Sequence, residues 1–231
     1  MPKKRNKGKA SIPLNPVIHI FCEGEKTEPS YIKGYIDKFF PGINNKGFKV
    51  IDVKNTKKNT PRELVNEACK LRASSTTPSK DSVWVVYDRE ATAKYEDRLH
   101  QEAIDKARAK NISVALSNVC FELWLLLHFQ ENNAQYSSCD DLLRKSNLKK
   151  HLNDVGINNY EKSFEGVFEK INGNIELAIT RADRMNRSTL DASQHDESKP
   201  HMLNPYTNIG ALLADIDRIA NENKTKKLGA L

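Results

Sequence analysis

Two apolar stretches that each end on an acidic residue constrain the fold of this chain more than any other feature. Residues 17–22 are almost wholly apolar and are followed at once by Glu23 and Gly24, and residues 83–87 run in the same way into Asp88. Short apolar runs of this kind are typical of strands buried in a parallel sheet. Because functional groups gather at the carboxyl ends of such strands, we expect these acids to share one edge. Gly24 would let the backbone turn tightly or approach a bound group closely.

The first 130 residues alternate between strand and helix patterns. Thr27-Glu28-Pro29 predicts a helix start with proline in the first turn, and residues 60–63 form a capping box. Further strands are predicted over 48–53 and 112–116, and Ser117 with Asn118 is predicted to cap a buried helix over 120–129. This order predicts an α/β fold with a mostly parallel four-stranded sheet flanked by helices.

The second half of the chain shows helical patterns and no strand pattern. We predict a helix over 138–151, further helical segments up to residue 185, a mobile loop over 187–204 and a last helix over 207–219. The expected organisation has four parts: a basic tail at 1–14, an α/β domain at 15–131, a helical region packed on it at 132–220, and a basic tail at 221–231.

The positive charge is concentrated at the two ends. The 231-residue chain has a net charge of +7, of which residues 1–10 carry +5 and residues 221–231 carry +2, so the remainder is neutral. Basic tails can contact nucleic-acid phosphates or simply aid solubility, and both alternatives stay open. No apolar stretch approaches the roughly 18 residues of a membrane span. We therefore expect a cytoplasmic protein without a membrane partner.

The four cysteines, at positions 22, 69, 120 and 139, include no Cys-x-x-Cys pair. Three of them fall within apolar periodic segments. We therefore predict reduced thiols in the core rather than a disulfide frame or a zinc site.

The predicted functional edge is acidic. Glu23, Asp88 and Glu90 follow two strands, and Glu122 lies at the start of an almost wholly apolar helix, where a carboxylate needs a partner or an ion. Carboxylate oxygens are preferred ligands of Mg²⁺. Alternatively, backbone amides or a lysine satisfy these carboxylates without any ion.

Basic residues near this edge are candidate substrate contacts. Lys26 lies in the first predicted turn, where it can pair with a phosphate oxygen or with a neighbouring glutamate. Lys54, Lys57, Lys58 and Arg62 form a cluster after the second predicted strand. Such a cluster either lines a nucleic-acid path or belongs to a solvated loop.

Four ordered motifs in this chain resemble the RloB family. They are FCEGEKTEPSYIKGY, VWVVYDRE, ALSNVCFELWLLLHF and NPYTNIGALL, and the resemblance covers roughly residues 15–220. Members of this family resemble the Toprim superfamily of topoisomerases, primases, OLD-family nucleases and small ribonucleases, and occur beside restriction and phage-defence genes. The Toprim pattern is a strand ending in Glu-Gly and a later strand ending in Asp-x-Asp.

The resemblance assigns roles to individual residues. Glu23 and Gly24 match the Glu-Gly pair and Asp88 matches the first aspartate, whereas Glu90 stands where a second aspartate is expected. It implies phosphodiester chemistry that depends on Mg²⁺ or Mn²⁺, with Glu23 and Asp88 as catalytic residues. The expected metal ligands are Glu23, Asp88 and Glu90 from this pattern, together with Glu122 from its position in the apolar helix.

The expected function is that of a metal-dependent nuclease in phage defence or abortive infection, with a partner protein encoded in the same locus. RNA is slightly favoured over DNA, because the sequence contains no helicase or ATPase segment and so resembles the small ribonucleases more. A non-catalytic subunit that binds nucleic acid or a partner is the main alternative. A phosphotransferase is less favoured, because the sequence shows no nucleotide-binding loop.

Overall fold

A mostly parallel sheet of five strands organises the part of the chain that the structure describes. The computed structural model describes residues 15–44, 49–55, 60–162 and 164–228. The strands are β1 (Ile18–Cys22), β2 (Ile51–Asn55), β3 (Ser82–Asp88), β4 (Ser113–Asn118) and β5 (Tyr206–Thr207), in the spatial order β2-β1-β3-β4-β5. The first four strands are parallel, and β5 pairs antiparallel with β4. The predicted α/β class with a mostly parallel sheet is confirmed.

Helices cover both faces of this sheet. Along the α/β half they are α1 (Thr27–Phe39), α2 (Pro61–Arg72), α3 (Asp97–Ala109) and α4 (Glu122–Leu127). The C-terminal half adds α5 (Cys139–Lys145), α6 (Leu148–Asp154), α7 (Val167–Ile171), α8 (Ile175–Ala192) and α9 (Ile209–Leu228). Helices α2 and α3 share an apolar core with one face of the sheet, and α1, α4 and the C-terminal helices share a larger core with the other face. The predicted C-terminal helical region is therefore confirmed.

The predicted helix cap at Ser117 and Asn118 is wrong, because both residues belong to β4 and α4 begins only at Glu122. Their side chains find distant partners instead. The Ser117 hydroxyl lies 2.8 Å from that of Thr207, and Nδ2 of Asn118 donates to the carbonyl of Leu203 at 2.7 Å. These partners lie in β5 or shortly before it, and β5 is a strand that the sequence did not predict.

The C-terminal helices also differ from the prediction. Helix α8 continues to Ala192, into the segment predicted as a mobile loop, and α9 continues to Leu228, into the predicted tail. The predicted helix over 138–151 is interrupted between α5 and α6, although Ser138 caps α5 as expected by accepting from the Asp141 amide at 3.1 Å. None of the helices that the structure describes is long and apolar enough to cross a membrane.

Candidate functional site

A cleft of about 670 Å³ opens at the carboxyl ends of β1 and β3. It is bordered by six of the predicted site residues, namely Glu23, Gly24, Lys26, Asp88, Glu90 and Glu122. The cleft also contains residues to which the sequence analysis gave no site role, among them Glu28, Lys94, Tyr95 and Lys162. The structure therefore brings the strand-end acids together, as the topology of a parallel sheet requires.

The backbone ties the two strand ends to each other. Strands β1 and β3 are neighbours, with Cys22 opposite Val86, and the amide of Glu23 donates to the Val86 carbonyl at 2.9 Å. The amide of Asp88 in turn donates to Oε2 of Glu23 at 3.2 Å. The Glu23 side chain therefore reaches from the end of its own strand to the end of the next one.

Glu28 is an acid of this cleft that the sequence analysis did not assign to the site. It lies in the first turn of α1 and is only 8% exposed. A Cβ atom placed on Gly24 would overlap the Glu28 carboxylate, so glycine at position 24 leaves room for this second acid. A signal was present in the sequence, since Glu28 lies beside Thr27 and Pro29 at a predicted helix start that faces the strand end.

Burial and mutual repulsion favour the neutral forms of the cleft acids. Burial raises the pKa of Glu23 to about 7, against the hydrogen bond from Asp88, and raises the pKa of Glu28 to about 6, with a further contribution from the charge of Glu122. The pKa of Asp88 is raised well above its usual range by burial and by the charges of Glu28 and Glu122. A cation in this cleft would relieve the repulsion.

In the turn after β3, the contacts of Arg89 hold the neighbouring residue Glu90 in place. Glu90 has a φ of 59°, in the left-handed region, and its carboxylate pairs with Nζ of Lys94 at 3.0 Å. Arg89 is buried, donates to the carbonyls of Tyr95 at 3.1 Å and His201 at 3.2 Å, and forms an ion pair with Asp97. The guanidinium thus fixes the backbone between Asp88 and Glu90.

Glu122 is satisfied by side chains of the helical region. Sγ of Cys139 donates to Oε2 of Glu122 at 3.1 Å, and the hydroxyl of Tyr160 donates to Oε1 at 3.2 Å. Neither partner is close to Glu122 in the sequence, which is why the sequence analysis left the partner of this carboxylate open.

A buried group of Cys120, Glu122 and Cys139 can hold a metal ion. The ligand atoms of these three residues all lie within 4.8 Å of one another, and no other group of three or more histidine, cysteine or acidic residues meets this spacing in the part of the chain that the structure describes. The four carboxylates predicted as metal ligands border the cleft, but no three of them meet this spacing. The described cysteines are free thiols, as predicted, and burial raises the pKa of Cys120 well above its usual range, with contributions from Cys139 and Glu122. Neither Cys120 nor Cys139 was predicted as a metal ligand, because the sequence contains no Cys-x-x-Cys pair and most of its cysteines lie in apolar periodic segments.

The predicted basic contacts divide into two sets. Lys26 is exposed and borders the cleft, whereas Lys54 pairs with Asp52 and Arg62 is exposed on α2, and neither of these two borders it. Lys57 and Lys58 lie outside the described residues.

Lys162 is a cleft cation that the sequence analysis missed. Burial lowers its pKa, but the charges of Glu122 and Asp88 outweigh this and hold the pKa above its usual range. Thr27 of α1 donates to the Lys162 carbonyl and so anchors this segment at the cleft. No local sequence pattern indicates this position, because its partners lie on other elements.

The sheet and its cleft define an α/β protein with an acidic site at the ends of two parallel strands. The chain belongs to the RloB-like protein family, whose sequence model matches residues 18–216. This match spans the sheet and the C-terminal helical region and confirms the family resemblance. No curated protein and no solved structure matches the chain significantly.

Proposed function

We propose that this protein is a nuclease that hydrolyses phosphodiester bonds with the help of Mg²⁺ or Mn²⁺. The observation that carries the proposal is the meeting of Glu23, Glu28, Asp88 and Glu90 in one cleft at the carboxyl ends of β1 and β3. The likeness of Glu23-Gly24 and Asp88 to the Toprim pattern supports it. Phage defence as the setting and a partner protein from the same locus are proposed from the family resemblance, and RNA is slightly favoured over DNA because the chain resembles the small ribonucleases more.

The donor set of the cleft fits a hard divalent cation. Its candidate ligands are carboxylate oxygens, and burial and the charges of neighbouring acids raise the pKa of Asp88, so a cation would lower the energy of the charged site. We propose Glu23, Glu28, Asp88 and Glu90 as the residues that would hold it. Such an ion, when bound, offsets the charge that develops on the phosphate oxygens during hydrolysis. Because the oxygens of Glu122 already accept from Cys139 and Tyr160, we place Glu122 at the border of this set.

The remaining groups of the cleft have roles that follow from their chemistry. Glu23 borders the cleft at the end of β1, where its carboxylate would either hold the ion or act as a general base that takes a proton from the attacking water. Lys26, Lys94 and Lys162 place positive charge on the cleft wall, where they can bind the phosphates on either side of the cleaved bond.

The experiment combines metal binding with cleavage. Calorimetry with Mn²⁺ and Mg²⁺ is run beside cleavage of tRNA, single-stranded RNA and plasmid DNA, using wild type, Glu23→Gln and Asp88→Asn. Asp105→Asn is the matched control, since Asp105 is an exposed aspartate of α3 whose contacts lie within that helix.

We expect Asp88→Asn to abolish cleavage and weaken metal binding, and Asp105→Asn to retain both. Metal-dependent cleavage that persists at the wild-type rate in Asp88→Asn would contradict the proposal. Nucleic-acid binding without cleavage by wild type, unchanged in Asp88→Asn, would favour the non-catalytic binding subunit instead.

A further inference from the structure

Two thiols and a carboxylate from separate parts of the chain meet beside the acidic cleft. Cys120 follows β4, Glu122 is the first residue of α4, and Cys139 is the first residue of α5. All three are buried, their ligand atoms lie within 4.8 Å of one another, and the thiol of Cys139 already contacts Oε2 of Glu122 at 3.1 Å. We propose that they form a site for a thiophilic divalent cation such as Zn²⁺, distinct from the proposed Mg²⁺ site.

The ligand types determine the class of metal. Sulfur ligands favour Zn²⁺ and other soft or borderline cations, whereas Mg²⁺ takes oxygen ligands in octahedral geometry and does not favour thiolates. Two sulfurs and one oxygen therefore select against the ion proposed for Glu23 and Asp88. The acidic cleft, with its oxygen donors, would therefore prefer Mg²⁺, whereas the site of Cys120, Glu122 and Cys139, with two sulfur donors, would prefer Zn²⁺.

The spacing of the donor atoms is close to what tetrahedral zinc requires. With Zn–S distances of about 2.3 Å, ligand atoms in a tetrahedral site lie roughly 3.5–3.8 Å apart. The contact between Sγ of Cys139 and Oε2 of Glu122 is 3.1 Å, slightly shorter than this value, and all three ligand atoms lie within 4.8 Å of one another. The three ligand atoms are therefore close enough together for one ion to contact all of them after adjustment of the side chains.

The elements that carry the ligands are held in place before any metal binds. Ser138 caps α5 by accepting from the Asp141 amide, which fixes the helix start at Cys139. The hydroxyl of Tyr160 donates to Oε1 of Glu122, and this leaves Oε2 facing the thiol of Cys139. A hydrogen bond of this kind orients a ligating carboxylate and typically affects metal affinity.

A divalent cation would offset most of the negative charge of this site. Two thiolates and one carboxylate carry three negative charges, and the ammonium group of Lys162 interacts favourably with the same three residues. The two thiol protons leave to solvent on binding. Because Glu122 borders the cleft, a water molecule from the cleft would be available as a further ligand of the ion.

The test uses Co²⁺ as a spectroscopic substitute for Zn²⁺. The full chain, freed of metal with a chelator that is then removed, is titrated with Co²⁺ and its absorption recorded. We expect a thiolate-to-cobalt charge-transfer band in the near ultraviolet and tetrahedral d–d bands in the visible, both lost on addition of Zn²⁺ and retained in excess Mg²⁺.

Variants locate the site within the chain. Cys120→Ser and Cys139→Ser should each lose the charge-transfer band or reduce it by about half, and Cys69→Ser, which changes a thiol on α2, should leave it unchanged. Tyr160→Phe keeps the three ligands and should weaken Co²⁺ binding about tenfold. Glu122→Gln, which keeps the size of the side chain, serves if a cysteine variant fails to fold, and should weaken Co²⁺ binding while preserving sulfur ligation.

The outcomes separate this site from the proposed nuclease centre. Asp88→Asn should retain the cobalt spectrum even where it loses cleavage, since Asp88 is not among the three ligands. Absence of a charge-transfer band in the wild type, a band that Mg²⁺ removes, or an unchanged band in both Cys120→Ser and Cys139→Ser would each overturn the proposal.

Discussion

The main-chain amide of Asp88 donates a hydrogen bond to Oε2 of Glu23, so the acid that follows β1 is fixed to the end of β3. The bond joins the two positions that carry the strand-end motifs, 65 residues apart in the sequence. Because Glu23 is also largely buried, its charge state affects both the local structure and the stability of the fold.

Glu23→Gln should reduce the pH dependence of stability in metal-free buffer. The folded state raises the pKa of Glu23 from its ordinary value of 4.5 to about 7. The stabilisation associated with the raised pKa is present below about pH 4.5 and is lost as the pH rises through 7. The free energy of unfolding of the variant relative to wild type should therefore increase by up to roughly 3 kcal/mol between pH 4.5 and 7.5, as measured by urea denaturation.

Glu176→Gln is the matched control for this measurement, because Glu176 is an exposed glutamate on α8. Its difference from wild type should stay constant within about 0.5 kcal/mol across the same pH range. Parallel curves for wild type and Glu23→Gln would show that Glu23 titrates as an ordinary surface carboxylate.

A pair of buried histidines predicts loss of stability in acid. The rings of His100 and His201 stack with centroids 5.9 Å apart, and Nε2 of His100 lies 3.4 Å from Nη1 of Arg89. Burial lowers the pKa of His100 to about 3 and that of His201 to about 4, and the Arg89 charge contributes to both shifts. These histidines therefore stabilise the fold above about pH 6.5, and this stabilisation is lost as the pH falls towards their folded pKa values.

The change that tests this is His100→Gln, which keeps a hydrogen-bonding side chain that does not titrate. Between pH 6.5 and 4.5 the variant should lose about 2 kcal/mol less stability than wild type, measured by denaturation at each pH. His151→Gln, which alters a partly exposed histidine outside this pair, is the control substitution. Equal acid sensitivity in His100→Gln and wild type would show that His100 does not contribute.

The sequence predicted the strand-end acids because their position follows from local pattern and sheet topology alone. Residues 17–22 and 83–87 are apolar runs, parallel strands end at one edge, and Glu23 and Asp88 come next. The predicted capping box over residues 60–63 also depends on local sequence, and the structure confirms it: the Glu63 amide donates to the hydroxyl oxygen of Thr60 at 3.3 Å. Features of this kind depend only on residues that are neighbours in the sequence.

The features that the sequence analysis missed depend on contacts between distant segments. Strand β5 is two residues long, and Thr207 contacts Ser117 across 90 residues. Cys139 reaches Glu122 only because α5 packs against α4, and Lys162 shares the cleft with Asp88 only through tertiary packing. Polar residues whose partners are distant in the sequence show no local pattern that reveals those partners. Ser117 and Asn118 were therefore predicted to cap a helix, whereas their side chains form long-range hydrogen bonds from β4.

Arg89→Met should lower the free energy of unfolding, because Arg89 holds the turn beside the acidic site. The guanidinium is buried, and it donates to the carbonyls of Tyr95 and His201 and pairs with Asp97. Its loss leaves buried carbonyls without their donor, so we expect a decrease of about 2–4 kcal/mol in the free energy of unfolding. Arg184→Met breaks an exposed pair with Glu131 and should change it by less than about 1 kcal/mol. Similar changes in the free energy of unfolding for the two variants, measured by urea denaturation, would show that the buried contacts of Arg89 do not stabilise the fold.

Gly24→Ala should displace the Glu28 carboxylate, because the added Cβ would overlap it. Glu28 is buried and cannot swing into solvent freely, so we expect a loss of about 1–3 kcal/mol in the free energy of unfolding. Glu28→Asp shortens the side chain, and the double variant should recover part of that loss. A double-mutant cycle in urea denaturation measures this coupling. Gly173→Ala is the matched control, since a Cβ there meets nothing within 4 Å. A coupling energy near zero would mean that Glu28 does not depend on glycine at position 24.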